Sequence, residues 1–288
     1  MDNKNKFQDL YGYEPPLKER IFKYLLKILL FLLRINGKNK FSNWILEEVN
    51  PFILVKSKID NSIKFKWITG HNRLLWRAKT FDTEESLMVR WLSKFKKDDN
   101  FLDIGANCGI YTLAAACKCD NICAVELDPI NIGILKENLV LNNFEEKVLI
   151  IPFAAGESNK KELIFFRSCS KSDAFQTIGK PSSLGTRLYE GNHKTPQLLF
   201  SLDFIFKEFK LKSPNKIKID VDGNEKVVFK GAERIILNAE EIYYEDSGFA
   251  ESKKVLAKLL DNGFKILKEE KPNKTIRGRN LLLKNSNI

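Results

Sequence analysis

The chain has 288 residues and a formal net charge of +11, from 48 lysines and arginines against 37 acidic residues. Hydrophobic residues make up 43% of it, which excludes a chain too polar to bury a core. We expect one domain of roughly 200–250 residues plus an extension. The positive charge favours an anionic partner such as phospholipid, an acidic glycan, a nucleotide-sugar or nucleic acid.

Residues 1–80 are predicted to be an N-terminal extension that begins with a basic amphipathic helix over residues 17–35. Four cations share one stripe at helical spacing, namely Arg20, Lys23, Lys27 and Arg34. Because lysines interrupt the apolar run, we do not expect the helix to cross a membrane. Two interpretations stay open: the helix lies on an anionic membrane surface, or it packs on the protein's own core.

The remainder of the extension is predicted to be a small β-hairpin region. Its extended segments are Phe52 to Val55, Ser62 to Thr69 and Leu74 to Ala78. Thr83 then begins a Thr-Glu-Glu-Ser helix start, and apolar residues from Leu87 to Phe95 continue the helix. The main domain is therefore expected to span residues 81–288.

The next stretch carries the strongest motif. An apolar run from Phe101 to Ile104 predicts a buried strand, and a helix is predicted to begin at Ile110. The loop between them contains two glycines but lacks the G-x-G-x-x-G of dinucleotide sites. A carboxylate at the strand's end, Asp103, disfavours pyrophosphate but suits the sulfonium and ammonium groups of S-adenosylmethionine (SAM). A second strand ends at Glu126, the position from which a ribose diol is usually held.

The five cysteines are predicted to be thiols in a cytoplasmic protein, peripheral to the inner face of the membrane if the basic helix binds lipid. The spacing of Cys117, Cys119 and Cys123 matches no standard zinc pattern, so we expect small buried side chains. The odd number and the lack of a cleavable signal sequence favour a reducing compartment.

Strands and helices alternate through the rest of the chain. Predicted strands cover residues 121–126, 148–153, 216–222, 241–245, 264–268 and 280–283, and predicted helices cover residues 129–142, 200–209, 226–237 and 251–260. An irregular insertion at about 157–200 interrupts this order and contains one strand-like segment, Glu162 to Phe166; inserts of that length are usually lids or binding loops. The pattern predicts a doubly wound, mostly parallel α/β sheet with a late antiparallel strand.

Two motifs resemble those of the FkbM-type SAM-dependent methyltransferases. Phe101 to Thr112 is similar to the family's DIGANxGxYT loop, and Lys218 to Glu225 is similar to its KIDVEGxE. The resemblance spans about residues 80–285 and implies a seven-stranded, Rossmann-like class I methyltransferase fold with SAM as cofactor. It implies that Glu126 holds the ribose and that Ala155 lies near the adenine. It places the following residues around the methionine part of SAM: Asp103, Gly105, Ala106, Asn107 and Gly109.

The resemblance also implies methyl transfer to a hydroxyl of a sugar, glycolipid or similar natural product, which needs a base or a metal near the methyl group. We expect Asp222, where the family more often has Glu, to face the cofactor, with Asp220 on the opposite side. Lys218 is expected to pair with Asp222, either in catalysis or as a structural salt bridge.

Further candidates lie at the next strand end and in the loops. Glu245 and Asp246 are candidate catalytic residues, and Asp222 and Asp246 are candidate Mg²⁺ ligands, although helix capping is an alternative for Asp246. His193 is a candidate base or an ordinary polar loop residue. Arg277 and Arg279 are candidate ligands for an anionic acceptor.

Three functions compete. The first is an O-methyltransferase acting on a glycan or glycolipid at the cytoplasmic face of the membrane. The second, an NAD-type oxidoreductase, is disfavoured because the glycine fingerprint and a Tyr-x₃-Lys pair are missing. The third is a non-catalytic lipid- or partner-binding module on the same fold, which the intact loop and Glu126 disfavour. A nucleic acid substrate is not expected, because no Asn-Pro-Pro-Tyr-type motif for holding a base occurs.

Overall fold

The structure is a computed structural model that describes residues 16–35, 52–166, 177–178, 193–271 and 278–288. The chain divides into two compact units, Met1–Pro51 and Phe52–Ile288. The hairpin region, which we predicted as part of an extension that ends at residue 80, falls within the second unit.

In the first unit, the described element is helix α1, Leu17–Ile35, with the bounds that the sequence predicts. Apolar side chains of α1 are exposed, with Phe22 67%, Leu25 59% and Leu29 51% accessible. Among the described residues, no helix is both long enough and apolar enough to span a bilayer.

The second unit is built on a seven-stranded sheet, which confirms the predicted fold class. Its strands are β3 Asn100–Ile104, β4 Asn121–Val125, β5 Val148–Ile151, β10 Lys216–Ile219, β11 Glu241–Asp246, β12 Phe264–Glu270 and β13 Arg279–Asn285. They lie in the order β12-β13-β11-β10-β3-β4-β5. Strand β13 is antiparallel to both of its neighbours, whereas β11, β10, β3, β4 and β5 are mutually parallel.

Helices cover both faces of this sheet. They are α2 Asn72–Lys79, α3 Ser86–Leu92, α4 Ile110–Ala116, α5 Pro129–Asn142, α6 Leu202–Glu208, α7 Glu225–Gly231, α8 Glu233–Leu237 and α9 Ala250–Asp261. Phe101 of β3 joins the core formed with α3, α4 and α5, and Leu102 and Ile104 join the core formed with α6 to α9. Both faces of β3 are therefore covered, which explains why Phe101, Leu102 and Ile104 are all apolar although they face opposite sides of the sheet.

The hairpin region belongs to the main unit. Strands β1 Phe52–Lys56 and β2 Lys64–Ile68 pair antiparallel, as predicted. The Ile68 N–H donates to the Asn138 side chain of α5 at 3.0 Å, and Trp67 is fully buried. The prediction of an extended Leu74 to Ala78 is wrong: these residues lie in α2, where His71 caps the helix by accepting from the Arg73 N–H. Burial of one face of a short helix is difficult to distinguish from strand alternation over five residues.

Together with the preceding β6, the insertion forms a second, four-stranded sheet in the order β6-β9-β7-β8. Its strands are β6 Ala154–Ala155, β7 Lys160–Phe166, β8 Thr177–Ile178 and β9 His193–Phe200. We predicted strand-like structure at 162–166 but not β9, in which Pro196 weakens the strand signal. The single helix predicted over residues 226–237 is two helices, because Ala232 between them has a non-helical backbone, with φ −131° and ψ 14°.

Cysteines 108, 117, 119 and 123 are free thiols, whereas Cys169 lies outside the described residues. Cys119 is fully buried, and burial raises the pKa of its thiol to about 12. Such thiols stay protonated at neutral pH and act as small apolar side chains.

Candidate functional site

The loop that follows β3 is shaped by left-handed backbone conformations. Gly105, Asn107 and Gly109 have φ of +83°, +52° and +89°. The N–H groups of Gly105 and Ala106 both donate to the Val125 carbonyl at 3.0 Å, so the loop is attached to the end of β4. A side chain at Gly105 would overlap the Asp220 carbonyl oxygen, and one at Gly109 would overlap Leu135. Glycine is therefore required at both positions.

Glu126 lies directly beside this loop. Its Oε2 accepts from the Asn107 N–H at 2.7 Å, and its Oε1 accepts from the N–H groups of Leu127 and Asp128 at 2.9 and 2.8 Å. Burial raises the pKa of the Glu126 carboxyl to about 7, although these backbone donors act in the opposite direction. Glu126 thus joins the loop to the turn before α5, and its role towards a ribose stays a prediction.

Asp103 is 1% exposed and contacts the loop indirectly. The Thr112 hydroxyl donates to its Oδ2 at 2.6 Å, and the Lys218 ammonium lies 3.3 Å from its Oδ1. Lys218 also donates to the Gly105 carbonyl at 3.3 Å and pairs with Asp220 at 2.9 Å. The expected pairing of Lys218 with Asp222 is therefore wrong. Lys218 thus connects the ends of β3 and β10 with the glycine loop.

Burial alone would lower the pKa of Lys218, but the carboxylates of Asp220 and Asp103 raise it well above its usual range. The Nζ atom also lies 5.9 Å from the centre of the Tyr111 ring, at the start of α4. Lys218 is thus a permanently charged group at the base of the loop.

Three carboxylates meet where β10 and β11 end. Oxygens of Asp220, Asp222 and Glu245 all lie within 4.8 Å of one another, and we call these residues the acidic cluster. The expectation that Asp220 and Asp222 face opposite sides is wrong. Strand β10 ends at Ile219 and Asp222 has a φ of +47°, so strand alternation does not extend to these residues.

A hydrogen bond joins the side chains of Asp220 and Glu245, so the pair shares a proton. Burial would raise the pKa of Asp220, but Lys218 lowers it to about 2. Burial and the neighbouring Asp220 raise the pKa of Glu245 well above its usual range, which favours the proton on Glu245 over Asp220. These oxygen ligands also suit a divalent cation, which would replace that proton.

Asp246 and Arg279 lie outside the acidic cluster and contact each other. The Arg279 Nε donates to Asp246 Oδ2 at 3.1 Å, and its Nη1 donates to Glu269 at 3.0 Å. Asp246 Oδ1 also accepts from the Gly248 N–H and the Ser252 hydroxyl, both at 3.0 Å. The structure therefore supports the alternative structural role for Asp246 rather than a place among candidate metal ligands.

The remaining predicted residues differ in what the structure describes. Ala155 is 9% exposed on β6, which follows β5 at the same edge of the sheet as the loop. His193 begins β9, but its side chain lies outside the described atoms, and Arg277 lies outside the described residues.

Sequence reasoning missed two charged residues near this edge, Arg77 and Glu85. Both interact electrostatically with Asp220 and Tyr111. Glu85 belongs to the Thr-Glu-Glu-Ser signal, which predicts a helix start but not the direction of an individual side chain. Local sequence patterns could not place these two residues at the site, because α2 and α3 precede the loop motif in the chain and approach it only in the folded protein.

Residues 103–266 match the family described as "Methyltransferase FkbM domain". Among curated proteins, hexuronic acid methyltransferase AglP of Haloferax volcanii is 23% identical over 158 residues, which are 54% of this chain and 59% of AglP. The chain therefore spans about three fifths of the length of that relative.

The similar solved structures have low sequence identities and low TM-scores. A methyltransferase FkbM from Methylobacillus flagellatus has a TM-score of 0.44 and 18% identity, over 65% of this chain and 44% of that chain. The tRNA m1G37 methyltransferase of M. jannaschii has a TM-score of 0.42 and 15% identity, over 82% and 57%. Scores this low support no conclusion about substrates. The sequence match carries more weight, and since it covers more than half of the 288 residues, the chain belongs to the FkbM methyltransferase domain family.

Proposed function

We propose that this protein transfers a methyl group from SAM to a hydroxyl of a sugar-containing acceptor. The observation that carries the proposal is that the glycine loop, Glu126 and the acidic cluster meet at the carboxyl ends of parallel strands, where open α/β sheets bind their ligands. Family membership implies SAM as the methyl donor. The relative named for a hexuronic acid supports a sugar acceptor.

The residues of this chain have separate tasks in the proposed reaction. Gly105 and Gly109 let the backbone approach the cofactor, and Glu126 is placed to accept from ribose hydroxyls. The carboxylates at this edge favour the positively charged sulfonium. Bound SAM supplies an electrophilic methyl group, and the acidic cluster is placed to orient the acceptor hydroxyl, directly or through Mg²⁺.

Cofactor binding provides the first test, with Glu126→Ala as the variant. We expect micromolar binding of SAM to the wild-type protein by isothermal titration calorimetry and none of NAD⁺. Removing the carboxylate is expected to weaken SAM binding at least about tenfold, because hydrogen bonds to a charged group are lost. Glu137→Ala, at an exposed position of α5, is the matched control and should bind SAM like wild type. No SAM binding by folded wild-type protein would favour a non-catalytic module.

The acceptor chemistry is tested with radiolabelled SAM and the p-nitrophenyl glycosides of glucuronic acid and glucose. The proposal expects an alkali-stable methyl ether. An alkali-labile methyl ester would instead show transfer to the uronic acid carboxylate and would overturn the hydroxyl assignment. EDTA and added Mg²⁺ test the metal role: activity that is unchanged in EDTA would leave the acidic cluster as a direct hydrogen-bonding site.

We further propose that α1 binds an anionic bilayer surface and so brings the enzyme to lipid-linked acceptors. The exposed apolar side chains of α1 alternate with cations, an arrangement suited to the interface of an anionic membrane. This charge complementarity favours lipid over an uncharged apolar partner.

Replacing Lys18, Arg20 and Lys27 with glutamine is expected to weaken binding to phosphatidylserine vesicles about 100-fold, at about 1 kcal/mol per cation. Sedimentation with vesicles at low and high salt measures the effect. The matched control replaces Lys136, Lys207 and Lys253, which are exposed on helices of the second unit. Equal losses in both triple variants, or no vesicle binding by wild type, would contradict a specific role for α1.

A further inference from the structure

Glu85 occupies the N-cap position of α3, but its side chain does not cap the helix. Glu270 of β12 provides the cap instead: the Ser86 hydroxyl donates to its Oε1 at 2.6 Å and the Leu87 N–H donates to its Oε2 at 3.1 Å. At this position a short polar side chain such as that of Ser or Asp usually accepts from the helix N–H groups. Because Glu270 forms the cap, the Glu85 carboxylate is available for other contacts.

Those contacts lie at the candidate site. The Tyr243 hydroxyl donates to Glu85 Oε2 at 3.4 Å, and the Tyr111 hydroxyl is hydrogen-bonded to the same carboxylate. Tyr111 lies in the first turn of α4, directly after the glycine loop, and Tyr243 lies on β11. Glu85 is therefore placed beside the loop and near the acidic cluster, although it precedes the segment that matches the family.

We propose that Glu85 accepts the proton of the acceptor hydroxyl, so that α2 and α3 complete the active site. This inference rests on the proposed function. As the hydroxyl oxygen forms its bond to the methyl carbon, the carbon–sulfur bond breaks and its electron pair stays on sulfur. The hydroxyl proton moves to the Glu85 carboxylate. The products are a methyl ether, S-adenosylhomocysteine and protonated Glu85, which returns the proton to water.

Four other carboxylates at this edge, those of Asp220, Glu245, Asp246 and Glu126, have strong partners. Asp220 pairs with Lys218 at 2.9 Å and is hydrogen-bonded to Glu245. Asp246 pairs with Arg279, and Glu126 accepts from three backbone N–H groups. The hydroxyl contacts of Glu85 come from neutral phenols, which can exchange for an acceptor hydroxyl at lower cost than an ion pair can.

The electrostatic surroundings of Glu85 support the assignment. Burial raises the pKa of its carboxyl to about 7; Asp220 and Glu270 also raise it, whereas Lys218 and Arg77 lower it. A general base works best when its pKa lies near the working pH. The groups that face it come from five elements or their ends: Arg77 of α2, Tyr111 of α4, Lys218 of β10 with Asp220 directly after it, Tyr243 and Glu245 of β11, and Glu270 of β12.

The test compares Glu85→Gln, Glu85→Asp and the matched control Glu84→Gln, which changes the neighbouring half-exposed carboxylate. Methyl transfer from radiolabelled SAM to the p-nitrophenyl glycosides is measured from pH 5.5 to 9.5, and SAM binding is measured by calorimetry. For wild type and Glu84→Gln, we expect kcat to rise with pH around a midpoint near 7. Glu85→Gln is expected to lower kcat at least about 100-fold and to lose this midpoint, with the Kd for SAM within twofold of wild type.

Glu85→Asp is expected to restore part of the activity and a pH midpoint, which a purely structural role would not require. If Glu85→Gln keeps the wild-type midpoint and at least a third of its kcat, the assignment of Glu85 is overturned while the proposed function stands. If Glu85→Gln does not fold, a Glu85→Asp variant without a pH midpoint overturns the assignment. Wild type that makes no methyl ether overturns the proposed function, and the role of Glu85 falls with it.

Discussion

Gly105→Ala is expected to abolish SAM binding and to lower the free energy of unfolding by about 3 kcal/mol. The added Cβ would overlap the Asp220 carbonyl oxygen, and the φ of +83° is unfavourable for alanine. The loop and the end of β10 would have to move apart, which would also displace Lys218 from the Gly105 carbonyl. Calorimetry with SAM and urea unfolding measure the two effects.

Gly133→Ala is the control for this substitution. Gly133 lies in α5 with no atom within 4 Å of an added Cβ, so alanine there should increase stability by about 0.5–1 kcal/mol. SAM binding should not change. A Gly105→Ala variant with wild-type stability and affinity would show that the loop is not held against β10 as the structure describes.

Lys218→Met is expected to lower the free energy of unfolding by about 3 kcal/mol at pH 7, because the buried carboxylate of Asp103 and the partly buried carboxylate of Asp220 lose their cation. In wild type, Lys218 lowers the pKa of Asp220 to about 2, so its contribution is present above the unfolded value near 4 and is lost as the pH falls through 2. In the variant, the same carboxyls become easier to protonate. The difference between the two proteins should therefore be largest at neutral pH and shrink towards pH 4.

Lys216→Met is the matched control two residues earlier on β10. Lys216 pairs with Glu240 and Glu241, both at 3.2 Å, near the surface, where such pairs contribute about 1 kcal/mol or less. Urea unfolding at pH 4, 5.5 and 7 compares the variants. Equal losses for both lysines, or a Lys218→Met effect that does not depend on pH, would contradict the buried ion network.

Local patterns predicted most elements of the main sheet. The apolar run ending at Ile104, the glycines around Asn107 and the Asp128-Pro129 helix start each depend on a few neighbouring residues. The structure confirms the seven-stranded, mostly parallel sheet with the antiparallel β13. The same dependence on neighbouring residues made one prediction wrong. Over residues 74–78, five positions were too few to separate the periodicity of a helix from that of a strand.

The candidate site was predicted less well than the fold. The sequence by itself determined the glycine loop, the position of Glu126 and the strand ends that carry the acidic residues, because periodicity and backbone preferences are local. The pairing of Lys218 with Asp103 and Asp220 was decided by the tertiary structure, since those side chains meet across neighbouring strands. So was the direction of Glu85, because the helix cap that it would otherwise form is supplied by Glu270, 185 positions later in the chain.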